Sequence, residues 1–93
     1  MTKEVIKKDG TKVLFDAGKI KKAIIAAAAA TDLSEERKNE VAEQVSATVV
    51  QILESKDEVA TSEIKINVLA ELDRVEPSVS AAWREYDQEN KEE

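Results

Sequence analysis

Apolar and polar positions follow two different periods along this chain. Short apolar clusters, Val5-Ile6 and Val13-Leu14-Phe15, flank the polar run Lys7-Lys8-Asp9-Gly10-Thr11-Lys12. Asp-Gly between β-prone runs is the strongest short-range hairpin signal, so strands are predicted at about 4–8 and 12–15. From Asp16 the period changes. Ile20, Ile24 and Ala27 fall on one helical face behind it, and Asp16 can cap a helix over about 17–30. Thr31-Asp32-Leu33-Ser34 interrupts the pattern, after which Ser34, followed by Glu35 and Glu36, starts a second helix over about 34–54. Its apolar stripe is Val41, Val45, Val49, Ile52 and Leu53.

Glu58-Val59-Ala60 is too short for a helix and predicts a third strand, about 58–60, beside the hairpin. Thr61 or Ser62 can cap a third helix, about 62–74, with Ile64, Val68, Leu69 and Leu72 on its buried face. Pro77 suits the first turn of a fourth helix, about 78–88, where Val79, Ala82, Trp83 and Tyr86 recur at three- and four-residue steps. The expected fold is α+β and mostly α: a single domain over residues 1–93, a four-helix bundle capped at one end by a small three-stranded β-sheet.

Composition narrows the function. A chain of 93 residues supports one core. With no cysteine and no histidine, disulfide scaffolds, zinc ribbons, thiol chemistry and imidazole bases are all excluded. Two glycines cannot build the glycine-rich phosphate loops of Walker or dinucleotide folds. The longest apolar run, Ala23 to Ala30, falls far short of the ~20 residues of a membrane span. No secretory segment is visible, and a cytoplasmic protein with no membrane partner is expected. A net charge of -6 makes nucleic acid a poor partner, because such binding depends on neutralising phosphates.

The distribution of charge says more than its total. Residues 1–22 carry seven lysines against three acids, while residues 23–93 carry seven basic against seventeen acidic side chains. A small basic lobe on an acidic body suits an anionic partner of limited size. Lys7 and Lys8 lie in the hairpin, and Lys19 and Lys22 at the start of the first helix, where backbone N–H groups lack helical partners. Lysines there can grip a triphosphate without glycine loops. Strand alternation sends Lys7 and Lys8 to opposite faces, so a regular strand directs one of them to a shared ligand. The alternative is a solvated lysine face that protects a sheet edge.

The stretch from Val5 to Ile20, with its Lys7-Lys8-Asp9-Gly10, Phe15-Asp16 and Lys19-Ile20, resembles the opening signature of the ATP-cone. Ala60-Thr61-Ser62-Glu63-Ile64 is similar to the start of that family's third helix, and Val75 to Tyr86 to its closing helix. The ATP-cone is the regulatory domain at the N-terminus of many ribonucleotide reductases, found also in the repressor of their genes. The resemblance implies a four-helix bundle under a three-stranded sheet, with ATP or dATP bound between them as an effector that changes subunit association. It implies that Lys7, Lys8 and Lys19 bind the triphosphate, and that Asp9 and Gly10 of the hairpin turn belong to the nucleotide site with them. Val5 and Ile20 then line adenine and sugar, Asp16 holds the nucleoside, and Thr61 and Lys65 approach phosphates or sugar. Magnesium can accompany the nucleotide.

Partners implied in this way are an adenine nucleotide and a reductase catalytic chain or another copy of the chain itself. Reductase chemistry needs cysteines, which are absent, so a regulatory domain rather than an enzyme is expected. A different reading is a nucleotide-independent helical assembly module with a decayed ATP site. Val13 stands where the family often has Glu, and Lys8 where it more often has Arg. In that reading Trp83 and Tyr86 anchor a partner, whereas their spacing with Val79 and Ala82 favours core packing.

Overall fold

In the computed structural model, which describes residues 4–89, the chain runs β1 (Glu4–Ile6), β2 (Lys12–Leu14), α1 (Ala17–Ala28), α2 (Glu35–Leu53), β3 (Glu58–Ala60), α3 (Thr61–Val75) and α4 (Pro77–Glu89). Helix dominates, and the expected α+β class, four helices with a small three-stranded sheet, is the one observed.

The sheet order is β2-β1-β3, with β1 antiparallel to β2 and parallel to β3. A parallel pair needs a long crossover, and here α1 and α2 supply it. Val13, Val5 and Val59 are register partners across the three strands and form one row. That row faces the helices: Val59 is buried and Val5 packs against the core.

β1 ends at Ile6 rather than residue 8, because the turn begins earlier. The Lys7 carbonyl accepts from Gly10 N at 2.9 Å, and Lys7 N donates to the Thr11 carbonyl at 2.8 Å. Gly10 has φ 90°, a conformation that costs any residue with a Cβ, and this closes the loop around Lys8 and Asp9.

Side chains cap two helices as expected. Asp16 Oδ1 accepts from Gly18 N at 2.9 Å, and Ser34 Oγ from Arg37 N at 3.1 Å. The third helix differs. β3 runs directly into α3, so extended Ala60 takes the N-cap position with no side-chain bond, and neither Thr61 nor Ser62 is the cap. The Thr61 hydroxyl instead donates to the Ile6 carbonyl at 3.3 Å, tying α3 to β1.

Around the bundle α1 packs on α2, α2 on α3, α3 on α4 and α4 on α1. Val41, Val45, Val49 and Leu53 bury α2, while Ile24, Val68, Leu72 and Val79 contribute from the other helices. Ile52 is 49% exposed, against its expected place in the α2 stripe. Four-residue steps carry the stripe from Val49 to Leu53, and Ile52 lies about 100° away around the helix. Tyr86 is also outside the core, at 64% exposure near the end of α4, whereas Trp83 is half-buried and packs against it. Arg37 fastens α2 to the α3–α4 junction through Nε to Glu76 at 3.0 Å and Nη2 to the Val75 carbonyl at 3.3 Å.

A second fastening joins α3 to α4. Arg84 donates to both oxygens of Asp73 at 3.0 and 2.9 Å, and the buried Ser80 hydroxyl donates at 2.5 Å. First Arg84 and then Ser80 hold the Asp73 carboxyl down at about 2, against an ordinary 3.8. A carboxyl lowered on folding adds stability above its unfolded pKa and loses it as pH falls through the folded one. The thermal midpoint is therefore expected to fall between about pH 4 and pH 2, and Asp73→Asn to flatten the curve over that window. Calorimetric melting across the pH series checks it. An unaltered slope in the variant would show that other carboxyls govern the acid limb.

Candidate functional site

A groove of about 350 Å³ opens where the sheet meets α1, α3 and α4. This lies within the usual size of small-ligand sites. The sheet contributes Val5 and Val13, which are register partners across β1 and β2 and so share a face, and Lys7 joins them from the turn just past β1. From α1 and its cap come Asp16, Lys19, Ile20 and Ala23. From α3, Thr61, Ile64, Lys65 and Val68 recur at helical spacing on one face. Trp83 closes the groove from α4, and Leu14 and Phe15 complete the strand side.

Seven of the ten residues singled out from sequence thus meet in one place: Val5, Lys7, Asp16, Lys19, Ile20, Thr61 and Lys65. Lys8, Asp9 and Gly10 do not line it. They form the hairpin loop, where Asp9 Oδ1 accepts from Thr11 N at 2.9 Å. That backbone bond keeps the Asp9 carboxyl below its ordinary value and gives it a turn-closing role. The opposed directions of Lys7 and Lys8 resolve in favour of Lys7.

Charge in the groove runs against that of the whole chain, with three lysines facing a single carboxylate, Asp16. Among the described residues Lys7 and Lys19 form no ion pair, whereas neighbouring Lys12 and Lys21 bind Glu58 at 3.0 Å and Glu43 at 2.6 Å. The open backbone donors expected at the start of α1 are partly taken. Gly18 N donates to Asp16 Oδ1, and Lys19 N to the Asp16 carbonyl at 3.1 Å. Cationic side chains rather than helix amides are the main anion ligands offered here. A phosphate beside Asp16 would be repelled, while a sugar hydroxyl would find an acceptor.

The rest of the wall is apolar. Val13, Phe15, Ala23, Ile64, Val68 and Trp83 were not among the residues marked as ligands from sequence. For Ala23, Ile64 and Val68 the sequence signal is helical spacing, which marks core and ligand walls alike, and Val13 and Phe15 stand out only through the family motif. The result is a groove with a cationic rim and an apolar depth, suited to an elongated anion with a flat apolar end. Among the described residues no group of three or more His, Cys, Asp or Glu gathers to hold a metal, and no helix is long and apolar enough to cross a membrane.

No curated protein matches this chain. The family model of the ATP cone domain does match it, over residues 3–92, which take in every strand, every helix and every wall of the groove. On that match the chain belongs to the ATP-cone family of regulatory nucleotide-binding domains.

Proposed function

We propose that this chain is an allosteric sensor that binds ATP or dATP in the groove and thereby controls the activity or oligomeric state of a ribonucleotide reductase or a related protein. One observation carries the reading. Two cations without ion-pair partners among the described residues, Lys7 and Lys19, share a groove with Lys65 and an apolar wall in an otherwise acidic chain. Members of this family bind adenine nucleotides as effectors.

In this reading the triphosphate lies across Lys7, Lys19 and Lys65, each acting as a point charge that tolerates variable phosphate geometry. The base packs on Val5, Val13 and Ile20, and Asp16, whose second oxygen faces no described donor, accepts from the sugar. Thr61 is held by its bond to Ile6, which fixes α3 against the sheet and sets the width of the groove. Magnesium, where it accompanies the nucleotide, arrives on the phosphates, since no protein cage gathers for it among the described residues. Control of a partner follows if the nucleotide binds one association state better than another.

Calorimetric titration with ATP, dATP and GTP in magnesium, with light scattering on the same samples, tests the proposal. Binding of adenine nucleotides with a change in mass is the expected result. No heat at millimolar ligand would instead favour the assembly module with a decayed site.

A further inference from the structure

The groove has a neighbour on the far side of Trp83. Between α1 and α4 lies a second cavity of about 370 Å³, walled by Ala26 and Ala27 of α1, by Ala30 just past its end, and by Ala82 and Tyr86 of α4. Ala23 and Trp83 belong to both cavities. Ala23, Ala26 and Ala30 are exposed, so this is a groove open to the surface, and alanine opposite the indole leaves room in it. The half-buried indole is therefore supported by the core behind it and has open volume on either side.

We propose that Trp83 is a movable partition between the two grooves. The inference rests on the nucleotide reading above and adds a regulatory element to it. The base of a bound nucleotide, packed on Val5, Val13 and Ile20, presents its far edge to Ala23 and the indole and leans the indole toward the alanine-lined side. Occupancy of the first groove then narrows the second. Linkage makes the relation reciprocal, so whatever fills the alanine-lined groove weakens nucleotide binding by the same factor. Alanine at positions 26, 27 and 30 provides the clearance this motion needs.

Trp83 is the chain's only tryptophan, so its emission reports the partition alone. The experiment follows emission and acrylamide quenching during a titration of the full chain with ATP and magnesium, with calorimetry on the same samples. It is repeated with Ala26→Leu, which fills the second groove and leaves the lining of the first untouched. In the unaltered chain ATP is expected to shift the emission and reduce quenching. In Ala26→Leu the affinity is expected to fall about tenfold, within the usual range of such coupling, and the emission shift to disappear. Ala26→Ser, which stays small, is expected to retain both. If circular dichroism shows that Ala26→Leu is not folded, Ala30→Leu at the other end of the groove takes its place.

Wild-type affinity and an undiminished emission shift in the filled variant would overturn the partition and leave the nucleotide reading standing. Calorimetric binding with no change in emission or quenching would overturn it equally. Absence of heat in the unaltered chain would remove both proposals together.

Discussion

Replacing Lys7 and Lys19 together with alanine is expected to weaken ATP binding by about a hundredfold or more, because each charge-assisted contact contributes roughly 1.5–3 kcal/mol. Both side chains are exposed and form no ion pair among the described residues, so the fold is expected to survive their loss. Circular dichroism should give the same helix content, and calorimetry should record the missing affinity. Lys8→Ala is the internal control. Lys8 sits on the hairpin loop outside the groove, and its removal is expected to leave affinity within a few-fold of the original. Equal losses from Lys8→Ala and from the double variant would show that the hairpin reorients to bring Lys8 inward, and would move the phosphates from the groove to the loop.

The second large effect concerns stability. Ile24 is fully buried on α1, one turn from Ile20 in the groove wall. Ile24→Ala is expected to cost about 2–5 kcal/mol, the usual range for truncating a core aliphatic side chain. Domains of this kind have only about 5–15 kcal/mol in total, so a measurable fraction of the variant should be unfolded before any denaturant is added. Urea titration reads the loss directly. Ligand offers a second readout: ATP at about a hundred times its dissociation constant should restore roughly 2.7 kcal/mol. Restoration would tie the groove to the folded state of α1. A full loss with no restoration would keep Ile24 in the core and argue against the nucleotide site.

Much of this fold could be read from spacing, and the places where it could not share a cause. Val41, Val45, Val49 and Leu53 mark the buried face of α2 because four-residue steps stay close to the helical repeat. Ile52 fails for the same reason, since one residue before Leu53 is another face. Asp16 and Ser34 announce their helices by a side-chain oxygen that has a backbone amide to bind. Thr61 has the same oxygen, but a strand precedes it without a break, and its hydroxyl goes to a carbonyl brought near by the parallel pairing of β1 and β3. Local chemistry cannot anticipate a partner supplied by tertiary structure.

The groove divides along the same line. Lys7 and Lys19 are visible as cations in a suggestive place, and a strand continued through Lys8 would send only one of the hairpin pair inward; the turn starts at Lys7 instead, and it is Lys7 that lines the groove. Of the apolar half, only Val5 and Ile20 are marked in the sequence, through the family resemblance. Ile64, Val68 and Trp83 carry the spacing of core residues, and only the assembled bundle shows that they also line a groove, Val68 while itself buried. Tyr86 completes the contrast, because its spacing places it in the core while it stands 64% exposed beside the second groove.

The bond from Thr61 to the Ile6 carbonyl joins residues 55 positions apart, and the parallel pairing beside it spans a similar stretch. The hairpin and each helix can form from neighbours in sequence, whereas this closure must wait for α1 and α2 to fold back. The two long walls of the groove, one from β1 and α1 and the other from α3, meet only at that late step. No binding surface exists for a nucleotide to template while the chain is still collapsing. Whatever occupies the groove therefore acts as a latch on the finished molecule, lengthening the life of the native state without hastening its arrival.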